Sequence, residues 1–152
     1  DEGSIILFGS SCAGRFVLDT LFVVGEVAAT YTPFDGGLDV EPIFQLCTLG
    51  SLAADDTATA SLTLFRGATP TKPIDGMFSF VPCRRANENP RRFERPPISL
   101  PGIINPTSKQ SPSGAKVGRS LPERQEAWSA ISDQVRAAGL SLAVHLALPG
   151  RC

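Results

Sequence analysis

Three groups of residues have the types and spacing to touch an anionic, base-bearing ligand. The first is Asp19-Thr20, set inside the apolar run Phe16-Val17-Leu18-Asp19-Thr20-Leu21-Phe22-Val23-Val24. A carboxylate between leucines is costly to bury unless it is paired or hydrogen-bonded. Either nearby amides or an arginine satisfy it, or it stands at the floor of a pocket and reads a base edge or ribose hydroxyl. The second group is Phe78-Ser79-Phe80-Val81-Pro82-Cys83-Arg84-Arg85. Phe78 and Phe80 fall on one face of a strand. Turned inward they are core. Turned outward they can stack on a base, with Arg84 or Arg85 on its phosphate. The third group is Gly9-Ser10-Ser11-Cys12-Ala13-Gly14-Arg15, a glycine-bracketed turn after an apolar strand. It is a plain tight turn, or its amides with Ser10, Ser11 and Arg15 hold one phosphate or carboxylate. It lacks the Gly-Lys-Ser/Thr ending of a nucleotide-triphosphate loop and the full dinucleotide fingerprint.

The charge distribution sharpens the second group. The 152 residues carry a formal net charge of −1. Residues 1–56 hold nine acids and one base, whereas residues 57–152 hold six acids and thirteen bases. The two halves either interleave and cancel or present a basic edge from Arg84 to Arg95. Arg91, Arg92 and Arg95 extend that run. It is an ordinary solvated face or one side of a phosphate-facing groove.

Other chemistry is sparse. A catalytic triad would have to use His145, the one histidine, which lies in an apolar strand. Cys12, Cys47, Cys83 and Cys152 are too far apart in sequence for the short ligand pairs of a zinc knuckle. A chain of this length builds its own core, so free intracellular thiols and a cytoplasmic location are expected. Cys83 beside two arginines invites a lowered thiol pKa but has no second catalytic partner. No metal site is expected; Asp55-Asp56 offers at most the start of a carboxylate one. The longest apolar stretch, Phe16 to Val24, is interrupted and too short to span a bilayer. Asp1-Glu2-Gly3 reads as an interior stretch, so a fragment, or a chain with residues missing, is expected.

The elements that must position these residues follow from pattern. Ser4 to Phe8 reads as a buried strand ended by Gly9. Arg15 to Val27 reads as a long strand, either central and covered on both faces or bulged near Asp19. Ala28 to Gly37 loses the pattern. Asp39 caps a short helix through Leu46, or Ile43 to Leu49 is a strand. Ala58 to Phe65 reads as a strand stopped by Arg66-Gly67. Met77 to Val81 is the next, ended or placed at an edge by Pro82. Residues 84–120 hold six prolines and form a long irregular segment, either a functional surface loop or partly mobile.

Ser120-Leu121-Pro122-Glu123 is a capping box. Trp128, Ile131, Val135 and Ala138 then share a helix face, and Gly139 stops the helix. Leu140 to Leu146 follows as a terminal strand. The whole predicts one α+β domain over residues 1–152. It would be a curved mixed sheet or open barrel of about five or six strands with one principal C-terminal helix.

Two stretches carry a family resemblance. Ile5-Ile6-Leu7-Phe8-Gly9-Ser10 leading into Phe16 to Val24, together with Phe78 to Cys83, resembles the uncharacterised bacterial families called nucleotide-modification-associated domains. Those families are linked by gene context to modified nucleotides or DNA-modification systems. The resemblance covers about a quarter of the chain, and it implies Asp19, Thr20 and Phe78 to Arg84 as pocket residues. It implies no reaction. A second similarity is to ADP-ribosyltransferase folds, where an aromatic-Arg-Gly strand end and a later Ser-containing strand flank a nicotinamide cofactor. Phe65-Arg66-Gly67 and Phe78-Ser79-Phe80 stand in that order, but no glutamate follows Glu126 to serve as the expected catalytic one.

The expectation is thus a domain that binds a nucleotide or nucleic-acid component. Ligand contacts fall to Asp19, Thr20, Phe78, Phe80, Arg84 and Arg85, and phosphate contacts to Ser10, Ser11, Arg15, Arg91 and Arg92. A protein-interaction or structural domain and a group-transfer enzyme are the alternatives. A purely structural domain would bury and satisfy Phe78, Phe80 and Asp19, with no concavity beside them.

Overall fold

A computed structural model describes residues 1–32, 44, 61–85, 94–101, 103–104 and 119–144. Five strands and one helix lie among them: β1 (Ile5–Cys12), β2 (Arg15–Tyr31), β3 (Leu62–Gly67), β4 (Val81–Cys83), α1 (Leu121–Ala137) and β5 (Ser141–Ala143). The α+β class holds. The single curved sheet or open barrel does not: β1-β2-β3 form one open sheet, and β4-β5 form a separate two-stranded one. The chain divides into two compact units, residues 1–25 with 67–152, and residues 26–66. The second unit holds the end of β2 and most of β3, with Tyr31 buried.

In the first unit, β1 and β2 form an antiparallel hairpin whose turn is Ala13-Gly14. Both turn residues have positive φ, 49° and 73°, which matches the right-handed strand twist. Gly9 does not end β1. It sits where a Cβ would collide with the Val17 carbonyl and come within 2.5 Å of the Phe16 ring. The glycine marks a close approach, not a stop. Residues 9–12 are therefore strand and not a phosphate-cradling loop.

A bulge explains the mixed pattern of β2. Phe8 pairs with Thr20 but Gly9 pairs with Leu18, so Asp19 is the extra residue on β2. Strict alternation would put Leu18 and Leu21 on opposite faces. With Asp19 inserted, Leu18, Leu21 and Val23 are all fully buried. β2 also runs on to Tyr31, past the end expected from hydropathy, because Ala28 to Thr30 carry no apolar alternation.

Short segments complete the second edge of β2 in turn. Phe16 and Leu18 bond Ile98 and Pro96, Leu21 exchanges two bonds with Phe80, and Val23 accepts from Ala68. This piecewise edge is why sequence pattern overstates regular strands. The expected strand Met77 to Val81 is reduced to bridges and β4, and Pro82 lies inside β4 opposite Leu142. Each strand of that pair is an edge strand, so a missing N–H is tolerated. The terminal strand spans only Ser141–Ala143, and His145 lies outside the described residues. The alternatives for 39–49 also lie outside them, Phe44 excepted.

α1 begins as its sequence requires. The Glu123 carboxylate accepts from the Ser120 N–H at 2.8 Å and the Ser120 hydroxyl at 2.7 Å. Gly139, at φ 76°, ends it. Ile131 and Val135 join Leu18, Leu21, Met77, Phe80 and Ile98 in the core.

Candidate ligand-binding cleft

The expected aromatic platform is part of the helix packing. Phe78, Phe80 and Trp128 meet edge to face, with ring centroids 5.0–6.4 Å apart. The Trp128 indole N–H donates to the Phe78 carbonyl at 2.9 Å. Phe80 is 2% exposed, so its ring faces the core and not a base. The nearby arginines are engaged: Arg84 pairs with Glu94 at 2.5 Å, and Arg85 donates to the Ser141 hydroxyl at 3.3 Å. Arg91 and Arg92 lie outside the described residues.

The motifs of the transferase likeness meet at Gly67 and Ser79. A Cβ on Gly67 would lie 2.8 Å from the Ser79 hydroxyl. That hydroxyl accepts from the Val23 N–H at 2.9 Å and donates to the Val23 carbonyl at 3.2 Å. Ser79 therefore completes the β2 edge with its side chain.

Asp19 has the arginine partner that its setting demanded. Arg95 forks onto both carboxylate oxygens, and its Nη2 also reaches the Ser10 hydroxyl at 2.5 Å. Ser10 sits on β1, Asp19 at the bulge of β2, and Arg95 on the incoming segment. The bulge frees Asp19 from the ladder, and its half-exposed side chain turns to Arg95 rather than to a pocket floor. Thr20 stays in register opposite Phe8. Ser11 is exposed in β1.

Beyond Arg95 the chain pairs with β2. The Leu18 N–H donates to the Pro96 carbonyl at 3.0 Å, and the Ile98 N–H to the Phe16 carbonyl at 2.9 Å. α1 holds the next residue. The Ser99 N–H donates to Gln134 Oε1 at 2.9 Å, and Gln134 Nε2 donates to the Ser99 carbonyl at 3.1 Å. The chain then turns, with Ile103 and Ile104 both donating to the Leu100 carbonyl.

A cleft of about 520 Å³ lies between this segment, the β1–β2 hairpin end and α1. Phe16, Pro97, Ile98, Leu100, Pro101 and Ile104 form its apolar lining, joined by Gly14, Ser99 and Gln134. Among the described residues Arg15 is the one ionisable side chain that lines it. Arg15 is exposed and makes no ion pair or side-chain hydrogen bond among the described residues. The cleft thus offers an apolar wall and one uncommitted guanidinium at the rim.

Of the sequence candidates among the described residues, Arg15 alone lines this cleft. The other lining residues come from the Pro-rich segment and α1, which sequence spacing does not connect. Pro96-Pro97-Ile98 beside Ile103-Ile104 was the available signal, an apolar cluster inside an otherwise polar stretch. Among the described residues no three His, Cys, Asp or Glu side chains cluster to hold a metal, and no helix is long and apolar enough to cross a membrane. No family model matches the chain, and neither a curated protein nor a solved structure is significantly similar to it.

Proposed function

We propose that the cleft binds a nucleotide, free or as one unit of a nucleic acid, with the base against the apolar wall and a phosphate at Arg15. The observation that carries this is the Arg15 guanidinium, unpaired among the described residues and the one charge among the described lining of a cleft of about 520 Å³. That volume falls in the usual range for small-molecule sites, and such sites combine apolar walls with few polar anchors. Guanidinium is suited to phosphate because its planar fork donates two parallel hydrogen bonds. The resemblance to nucleotide-modification-associated domains points to the same ligand class, with Arg15 in place of Arg84 and Arg85 as the phosphate contact. Among the described lining residues there is no carboxylate, imidazole or thiol to transfer a proton or attack a bond. Binding is therefore favoured over catalysis.

A thermal-shift screen tests this, using mononucleotides, nicotinamide dinucleotide and short DNA and RNA at two salt concentrations. A ligand-specific rise in melting temperature is expected, lost in Arg15→Gln and smaller at high salt. No rise with any nucleotide or oligonucleotide would overturn the proposal.

A further inference from the structure

Among the described residues β1 is the outer strand of its sheet, and it lacks the charges and prolines that guard such an edge. Ile5–Cys12 contains no charged residue and no proline. Ile6 and Phe8 stand on its solvent face at 43% and 52% exposure. Hydrogen bonds on β2 settle which main-chain groups of β1 face outward. Leu21 and Val23 direct theirs away from β1, to Phe80, Ala68 and Ser79. Antiparallel pairing alternates, so Phe22 and Thr20 face β1, where their partners are Ile6 and Phe8. Ile5, Leu7 and Gly9 therefore point their N–H and C=O groups at the open edge. None of these three has another hydrogen-bond partner there among the described residues.

We propose that this edge pairs with β1 of a second copy of the chain, antiparallel, with a two-fold axis at Leu7. This register is self-complementary on two counts. It sets Leu7 opposite Leu7, and Ile5 opposite Gly9, so these outward residues meet outward residues in hydrogen-bonded pairs. It also sets Ile6 of each copy opposite Phe8 of the other in non-hydrogen-bonded pairs, where side chains come closest. Each contact then occurs twice by symmetry, as an isologous interface requires. A shift by one residue would place outward groups against inward ones. The pairing is independent of the cleft.

Sedimentation equilibrium of the full chain across a concentration series tests it, with two double variants at the exposed positions. Ile6→Lys with Phe8→Lys puts like charges opposite each other in this register. Ile6→Lys with Phe8→Glu puts opposite charges there. The expected results are a wild-type dimer, a monomeric Lys/Lys variant and a dimeric Lys/Glu variant. Concentration-dependent protection of the Leu7 and Gly9 amides from hydrogen exchange should accompany the wild-type dimer. A wild-type monomer at every concentration overturns the proposal. So does a dimer that survives Lys/Lys, or a Lys/Glu variant that is monomeric while its circular dichroism and melting temperature match wild type.

Discussion

Gln134 and Ser99 exchange two hydrogen bonds, amide side chain against main chain, as neighbouring strands do. α1 thereby stands in for a strand partner to a segment that has none on that side among the described residues. The contact fixes the cleft wall between the Pro97 pairing with Val17 and the turn at Leu100. Gln134→Ala removes both bonds and is expected to cost about 1–3 kcal/mol. Gln134→Glu keeps the acceptor and loses the donor. Urea denaturation measures the loss, and faster hydrogen exchange at Ser99 locates it.

Gly67 and Ser79 give a coupled pair. Ser79→Ala leaves the Val23 N–H without its acceptor, at an expected cost of about 1–3 kcal/mol. Gly67→Ala drives a methyl to 2.8 Å from both the Phe22 ring and the Ser79 hydroxyl. Overpacking of this kind costs about 1–3 kcal/mol. The double variant should lose less than the sum, because Ser79→Ala removes one of the two clashes. A double-mutant cycle in urea checks this.

The Asp19–Arg95 pair is half exposed, at 43% and 49% side-chain exposure. Solvent screens such pairs, so Asp19→Asn is expected to change stability by less than about 1 kcal/mol. The change should shrink further as salt rises. Thermal melts at low and high salt measure both. A large loss would mean that Asp19 anchors the fold rather than trimming one segment.

Glu123 carries a pH signature. Its carboxyl is held below the ordinary glutamate value, first by the Ser120 hydroxyl bond and then by the Ser120 amide bond. A lowered folded pKa means the contribution is present above the unfolded value and lost as pH falls through the folded one. Acid melts should show this loss. Glu123→Gln keeps an acceptor for the capping box and should flatten that part of the pH dependence.

Local signals were legible in the sequence and distant ones were not. The capping box, the Ile131–Val135 face and the Gly139 stop all lie within one short stretch, so α1 was readable. The need of Asp19 for a partner was readable too. Arg95 as that partner was not, because 76 residues separate them. Gly9 misled as a stop because its role depends on Phe16 and Val17 across the hairpin. The cleft was hidden for the same reason. Arg15 and Phe16 come from the hairpin, Pro97 to Ile104 from a segment without periodicity, and Gln134 from the polar side of a helix.

The most direct measurement is a nuclear magnetic resonance titration of isotope-labelled protein with a nucleoside monophosphate, in wild type and Arg15→Gln. Saturable shifts are expected at Phe16, Ile98 and Ile104, with the affinity reduced at least about tenfold in Arg15→Gln, as befits one lost charge-assisted bond. Shifts confined to the Arg84–Arg85 region, or none at all, would contradict binding in this cleft.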